Sequence, residues 1–276
     1  MKLENSSANI AQSKAMRADK ALSTTVAFWF LIAVIGQWIF VYYVAFFYGS
    51  SAIKGDFEKW NEVLPHGYIP GETMGNLAVA LHIVLAIIIM VGGPLQFISQ
   101  IRTYARTFHR WNGRIYIFTA LLIGVDGLYM IWTRGNVGGF IGQVSVSINA
   151  FLIMFFAIMS WRTAVAHDFN KHRRWALRLF LVSNGVWFFR IGLMFWLFVN
   201  GGPVGFDPET FRGPFLVFLG FGQFLVPLII LELYFRAQDQ SGTLGKISMA
   251  ILLFFLTIMT GIGIFAATMG MWLPRI

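Results

Sequence analysis

Four polar side chains lie inside otherwise apolar stretches of this sequence and carry functional groups that can do chemistry there. They are His82, Asp126, Asn149 and Arg190. A charged side chain in a bilayer core is unfavourable unless it is paired or faces a cavity, so each ionisable member is a candidate for a site. An arginine can hold an anionic or carbonyl group, and a carboxylate can in turn hold the arginine. A histidine can donate or carry a proton near neutral pH.

The four residues predict a polar pocket that binds a small ligand or cofactor. In this prediction Arg190 holds the ligand, Asp126 holds Arg190, His82 is a donor or proton carrier, and Asn149 completes the set. The alternative is a buried Asp126–Arg190 ion pair that only locks two helices, with His82 bonded to a backbone carbonyl. A buried pair is often no more stable than an apolar substitute, so both interpretations stay open at this point.

A second set of residues repeats the pattern of histidine, arginine, tryptophan and then another arginine about one helical turn later. Its members are His109 with Arg114, and His172 with Arg178. Two histidines at equivalent ends of parallel helices are candidate axial ligands of a haem b. Interfacial cations that contact lipid phosphates are the alternative. A two-haem arrangement would also need a histidine opposite His82 on the fourth apolar run, which has none.

Several other chemistries are excluded or disfavoured. The chain has no cysteine, which excludes disulfides, thiolate catalysis and sulfur-ligated metals. It has no glycine-rich phosphate loop and no motif of a zinc protease or serine hydrolase. The few acidic residues are too scattered for a metal cage, so no metal site is expected. The sequence leaves open whether the protein is an enzyme.

The elements that position these residues follow from composition. Hydrophobic residues make up 57% of the chain and charged residues 12%, against about 25% charged residues in a soluble domain. Seven apolar runs can each span a bilayer core at about 20 residues per helix. They are Thr24–Tyr48, Leu77–Phe97, Ile115–Trp132, Ser145–Trp161, Leu177–Val199, Pro214–Tyr234 and Ile247–Met269. The sequence therefore predicts an all-α polytopic membrane bundle of seven helices, with residues 1–276 forming one domain.

Charge asymmetry between the connecting segments predicts the orientation. One side of the membrane would hold fifteen lysines and arginines and the other side five, and the basic side is cytoplasmic. The amino terminus is then cytoplasmic and the carboxyl terminus external. Residues 1–23 form a cytoplasmic tail before a retained anchor, and residues 49–76 form an external cap loop. The pI near 10 is explained by these basic turns, so nucleic acid is not an expected partner.

The same topology puts three of the candidate residues at similar depth. His82, Asp126 and Arg190 fall in the outer half of the second, third and fifth predicted helices, with Asn149 near the outer end of the fourth. A pocket between helices two, three and five is the leading hypothesis.

Several short motifs resemble a bacterial family of membrane proteins, domain of unknown function 2306. They are Leu81-His82, GGPLQF at 92–97, Arg102, HRWNGRIY at 109–116, and HRRWALR at 172–178 with Arg190 beyond. The resemblance covers roughly the second to the fifth apolar run and implies a multi-pass protein of the bacterial inner membrane, without an agreed activity. Ala176 departs from the family pattern, in which a methionine is expected.

Three alternatives to the ligand-binding hypothesis remain. The first is a haem b redox protein that uses the histidines of the third and fifth helices. The second is a proton- or solute-coupled transporter, in which Pro227 and the many glycines allow helix movement. The third is a structural subunit of a membrane complex. The lipid bilayer is a partner in every case, and other membrane subunits are partners in the last.

Overall fold

A computed structural model of the chain describes residues 2–64 and 66–276, with side chains from Gln12 onward. These described residues form helices and loops, and no strand occurs among them beyond a single bridge between Asp207 and Arg212. Six helices are long and apolar enough to cross a membrane. They are α1 (Lys2–Lys54), α2 (Thr73–Phe97), α4 (Arg106–Thr133), α5 (Gly139–Val165), α8 (Pro214–Gln240) and α9 (Thr243–Ala267). The predicted all-α membrane bundle is confirmed, with six to seven candidate spans.

The fifth predicted span is not one helix. It consists of α6 (Phe169–Ser183) and α7 (Gly185–Asn200), bent by 54° at Asn184. The Asn184 side chain donates to the carbonyl of Phe180 at 2.7 Å, and a side-chain amide that bonds the local backbone competes with helix continuation. Gly185 follows, and glycine is a weak helix former. The prediction of a continuous helix over Leu177–Val199 is therefore wrong.

The predicted boundaries of the first helix and loop also differ from the structure. The proposed tail, residues 1–23, continues α1 as a helix from Lys2, while Met1 lies outside the described residues. The cap loop begins after Lys54 rather than at residue 49 because α1 continues to that point. A short 3₁₀ helix, Phe57–Glu62, occupies this loop before α2 begins at Thr73.

The connections lie at two opposite ends of the bundle. The cap end consists of residues 55–72, 134–138, 201–213 and the chain end after α9. The basic end consists of the short helix α3 (Ser99–Tyr104), the α5–α6 and α8–α9 turns and the amino-terminal part of α1. At the basic end Lys246 Nζ lies 2.5 Å from Asp19 Oδ1 and joins α9 to α1.

Packing between neighbouring helices sets where a cavity can form. α1 packs along α9, α2 packs against α4, and α5 contacts both α4 and α6. α7 packs mainly against α8 and α9 rather than against α2 and α4. A core of large side chains, including Phe40, Tyr43, Trp187 and Trp272, fills the space between α1, α7 and the end of α9. Space remains at the cap end, between α7 and the α2–α4 pair.

Candidate functional site

His82 and Asp126 form a direct pair between α2 and α4. His82 Nδ1 lies 2.8 Å from Asp126 Oδ2, and the two side chains are 30% and 9% exposed. An ionised carboxylate can only accept a hydrogen bond, so the carboxylate form of Asp126 requires the proton on Nδ1. The Nε2 atom of a neutral His82 is then an acceptor. Gly127 leaves room beside the ring, because a Cβ at this position would lie 3.7 Å from His82 Cε1.

Arg190 does not pair with Asp126, in contrast to the predicted ion pair. Its Nη1 atom donates to the Val186 carbonyl at 3.3 Å, and its guanidinium lies 5.3 Å from the centroid of the Phe40 ring. Within the described residues no carboxylate lies within salt-bridge distance of Arg190. The physical reason is that α7 packs on α9 and directs Arg190 over α1, while His82 takes the carboxylate of Asp126.

A cavity of about 500 Å³ lies between His82 and Arg190 at the cap end. His82 and Arg190 lie in its wall, and residues 62–64, 66 and 67 of the cap loop and Phe211 also line it. Most of its other lining residues are apolar: Val79, Met130, Ile131, Phe189, Leu193 and Met271. Three arginines, Arg134, Arg190 and Arg275, line this cavity, whereas Glu62 is the only carboxylate in its lining among the residues that the structure describes. The cavity therefore has mostly apolar walls, and its charged lining residues give it a net positive charge.

Arg134 fastens the cap loop to the bundle. Its Nη1 donates to the carbonyls of His66 at 2.5 Å and Gly67 at 2.9 Å, and its Nη2 donates to Asn76 Oδ1 at 2.8 Å. Its side chain is 4% exposed, and Glu72 Oε2 lies 3.4 Å away. The planar guanidinium supplies several donors in a fixed geometry, which suits a clamp on loop carbonyls. Arg134 thus forms part of the cavity roof.

Sequence reasoning missed Arg134 and Arg275 as site residues. Both are located at the ends of apolar runs, where an arginine is an ordinary interfacial residue. The structure instead turns both side chains toward the cavity. Arg275 donates to the Met271 carbonyl at 2.5 Å, and no carboxylate of the described residues pairs with it. A useful signal was the isolation of Arg134, which is the only charged residue between α4 and α5.

Asn149 lies away from this cavity. Its Nδ2 atom is 3.3 Å from the Val182 carbonyl, at the break between α6 and α7. Gly185 makes the approach feasible, because a Cβ there would lie 3.0 Å from Asn149 Nδ2 and 3.5 Å from Gln223 Oε1. The structure therefore places His82 and Arg190 in the cavity wall and bonds Asp126 to His82, but it does not bring Asn149 to them.

The second predicted set is located at the basic end. His172 Nδ1 lies 3.0 Å from the Ser160 carbonyl, and Arg178 binds Glu232 Oε1 at 2.7 Å. The guanidinium of Arg114 lies over the ring of Trp111, 5.0 Å from its centroid. His109 Nδ1 is buried and has no hydrogen-bond partner among the described residues. No observation here tests the haem hypothesis for His109 and His172, which stays a prediction.

Comparison with known proteins gives one match. Neither the search of curated proteins nor the search of solved structures finds a relative. One family model matches residues 79–210, from Val79 in α2 to Thr210 in the loop after α7. The matched range contains His82, Asp126 and Arg190. Arg275 and the cap-loop residues that line the cavity lie outside it. Residues 79–210 thus match the family domain of unknown function 2306, described as a predicted membrane protein, which confirms the resemblance seen in the sequence.

Proposed function

We propose that the cap-end cavity binds a small amphiphilic anion, an organic carboxylate or phosphate with an apolar body. The observation that carries this proposal is that Arg190 lines the cavity while its predicted counter-ion, Asp126, is bonded to His82. An arginine in a pocket of low polarity is stabilised by an anion, and it binds carboxylate and phosphate groups through paired donors. The negative charge of the ligand offsets the excess of three arginines over one carboxylate, Glu62, among the described lining residues.

The walls of the cavity support an apolar body on this ligand. Ligand pockets typically enclose about 300–1,000 Å³ and combine apolar walls with a few polar groups, and this cavity of about 500 Å³ has that composition. Arg190 and Arg275 bind the anionic head in this proposal. The Nε2 atom of His82 accepts or donates a further hydrogen bond, with Asp126 fixing the ring orientation. Arg134 keeps the cap loop closed over the ligand.

We also propose a location for the protein and an orientation of its two ends in the membrane. The excess of lysine and arginine at the basic end supports a cytoplasmic position for that end, with the cap end and its cavity external. The family resemblance supports the inner membrane of a bacterium. In this arrangement the cavity receives its ligand from outside the cell or from the outer leaflet of the membrane.

Thermal unfolding in a neutral detergent tests the binding proposal. The probes are benzoate, octanoate and octyl phosphate, each paired with an uncharged counterpart such as benzamide, octanamide or octanol. We expect at least one anion to raise the melting temperature when its neutral counterpart does not. The Arg190→Gln variant should weaken this binding by on the order of tenfold to a hundredfold, because a hydrogen bond to a charged group contributes roughly 1.5–3 kcal/mol.

Arg162→Gln is a matched control, since Arg162 is exposed on α5 at the opposite end of the bundle. This variant should respond to the anions as the native protein does. Equal responses to every anion and its neutral counterpart would exclude an anion site. An unchanged response in Arg190→Gln would exclude Arg190 as the residue that binds the anion.

The bend of the fifth span favours a second candidate function, transport of the same anion. Discontinuous helices are a feature of transporters, where they line the substrate site and change orientation. Here α7 carries Arg190 into the cavity wall immediately beyond the 54° bend at Asn184. Uptake of a labelled anion identified above into proteoliposomes tests this candidate. Binding without uptake, under both inward and outward gradients, would leave a binding protein.

A further inference from the structure

One exposed ridge of α4, which winds around the helix, changes from cationic to apolar along its length. The residues of this ridge follow one another at four-residue spacing from the basic end: Arg106, Arg110, Arg114, Phe118 and Leu122. Residues four apart are neighbours on a helix, and each such step turns by about 40° around the axis, so the five residues form a continuous, slowly winding row. All five side chains are exposed, including Phe118 at 64%. We call this set of five residues the α4 stripe.

The arginines of the α4 stripe have no carboxylate partner among the described residues. Arginines of α6 at the same end behave differently. Arg174 lies 2.5 Å from Asp239 Oδ2, and Arg178 lies 2.7 Å from Glu232 Oε1, so both join α6 to α8. Like charges four residues apart on a helix repel each other. The three arginines of the stripe therefore hold an uncompensated positive charge that a bound anion would relieve.

The order of side chains along the stripe corresponds to the parts of a phospholipid. Arg106 and Arg114 are eight positions apart, which corresponds to about 12 Å along a helix at 1.5 Å per residue. Trp111 is 58% exposed beside them, and tryptophan is enriched at the level of lipid headgroups. Phe118 and Leu122 continue toward the middle of the helix, where acyl chains surround the protein. The order of cationic and then apolar side chains follows that of a lipid head and its chains.

We propose that the α4 stripe is a binding site for an anionic phospholipid. Arg106, Arg110 and Arg114 hold the phosphate of its headgroup, because guanidinium groups bind phosphate through paired hydrogen bonds. Phe118 and Leu122 contact its acyl chains. The site is on the outer surface of the bundle at the basic end and is independent of the cap-end cavity.

Native mass spectrometry of the detergent-purified protein tests this site directly. The protein is titrated with phosphatidylglycerol and, separately, with phosphatidylcholine of the same acyl chains. We expect tighter binding of phosphatidylglycerol to the native chain. The triple variant Arg106→Gln, Arg110→Gln, Arg114→Gln should bind it on the order of a hundredfold more weakly, since each arginine near an anionic lipid surface contributes roughly a fivefold factor.

A second triple variant is a matched control with the same change in charge. Arg162→Gln, Arg173→Gln and Arg236→Gln remove three other exposed arginines near the basic end, and this variant should retain phosphatidylglycerol. Equal losses in the two variants would overturn the proposal in favour of a general charge effect. Full retention by the stripe variant would also overturn it. Circular dichroism checks the fold, and the single variant Arg110→Gln, with an expected fivefold loss, gives the same test if the triple variant does not fold.

Free glycerol phosphate distinguishes a lipid site from a phosphate site. It has a phosphate but no acyl chains, so it should not displace phosphatidylglycerol at equal concentration. Displacement at equal concentration would show that the chains contribute nothing and would overturn the lipid assignment. Replacement of the three arginines by lysine should restore part of the affinity, because lysine keeps the charge but loses the paired donors.

Discussion

The side chains of His82 and Asp126 bond to each other across the α2–α4 contact, with Nδ1 2.8 Å from Oδ2. The Asp126 side chain is only 9% exposed, so removing His82 leaves a carboxylate with few other partners. A buried polar group without a partner costs about 1–3 kcal/mol. We expect His82→Phe to destabilise the protein by about this amount.

A double-mutant cycle separates this pair from the packing around it. Asp126→Leu removes the carboxylate, so the variant with both His82→Phe and Asp126→Leu should lose less stability than the two single variants together. The coupling free energy should lie between about 0.5 and 3 kcal/mol, as for other residues in direct contact. Chemical unfolding of the four proteins measures it. Strict additivity would mean that the pair contributes nothing to folding.

Arg134 should control the closure of the cap loop. Its guanidinium contacts two loop carbonyls, those of His66 and Gly67, and the side chain of Asn76. Arg134→Lys keeps the charge but loses the planar fork, so we expect a destabilisation of about 2–4 kcal/mol from the loss of charged hydrogen bonds. Hydrogen exchange of residues 55–72 should become faster, whereas exchange in α5 should stay unchanged. Equal exchange of this loop in both proteins would contradict the role of Arg134 as a clamp.

Gly75→Ala tests the same clamp without changing a charge. A Cβ at this position would lie 2.6 Å from Arg134 Nε and 2.8 Å from its Cζ, which is closer than van der Waals contact. The guanidinium would have to move and would lose its loop partners. The exchange pattern should therefore resemble that of Arg134→Lys. An alanine at the neighbouring Asn76 would not be a clean control, since Asn76 itself bonds Arg134.

The sequence predicted the spans well because helix length is fixed by the thickness of the bilayer core. The predicted end of the second span, Phe97, is also the end of α2. It also selected His82, Asp126 and Arg190 as candidate site residues, because ionisable groups in apolar runs are conspicuous. It assigned the wrong partner to Asp126. Partner choice depends on how each helix rotates about its axis, and runs that are apolar on all sides do not specify that rotation.

The break in the fifth span was missed for a related reason. The run Leu177–Val199 is long and apolar enough for one helix, and apart from Arg178 and Arg190 its polar residues are only Ser183 and Asn184, followed by Gly185. Such an interruption is compatible with a continuous helix unless neighbouring side chains stabilise the freed backbone groups. Asn149 and Asn184 provide this here through bonds to the carbonyls of Val182 and Phe180. The bond from Asn149 joins distant parts of the chain, so the sequence alone did not reveal it.

The loop around Asp207 should depend on pH. Its carboxylate accepts hydrogen bonds from Glu209 N at 2.9 Å and Thr210 Oγ1 at 2.8 Å, and these bonds lower the pKa of Asp207 below its ordinary value. A lowered pKa in the folded loop means that the stabilisation is complete above the ordinary pKa and is lost as the pH falls through the lowered one. We expect local opening of residues 201–213 in acid, measured by NMR or limited proteolysis. In Asp207→Asn this pH dependence should disappear, and its persistence would assign the effect to another group.

Asn184 should contribute more to stability than another asparagine with the same local hydrogen bond. Asn184 Nδ2 donates to the Phe180 carbonyl at 2.7 Å and is 1% exposed, whereas Asn200 Nδ2 donates to the Trp196 carbonyl at 2.9 Å in an exposed position. Both bonds reach back four residues, so Asn200→Ala is a matched control. Asn184→Ala leaves a buried carbonyl without its partner, which costs about 1–3 kcal/mol.

Helix propensity opposes this loss only weakly. Alanine favours a helix over asparagine by less than about 0.7 kcal/mol per residue, so the buried hydrogen bond decides the sign. We expect a clear decrease in the free energy of unfolding for Asn184→Ala and a change within about 0.5 kcal/mol for the exposed Asn200→Ala. Chemical unfolding compares the two directly. Equal small effects would show that the bend at Asn184 does not depend on its side chain, and that packing against α5 and α8 alone maintains it.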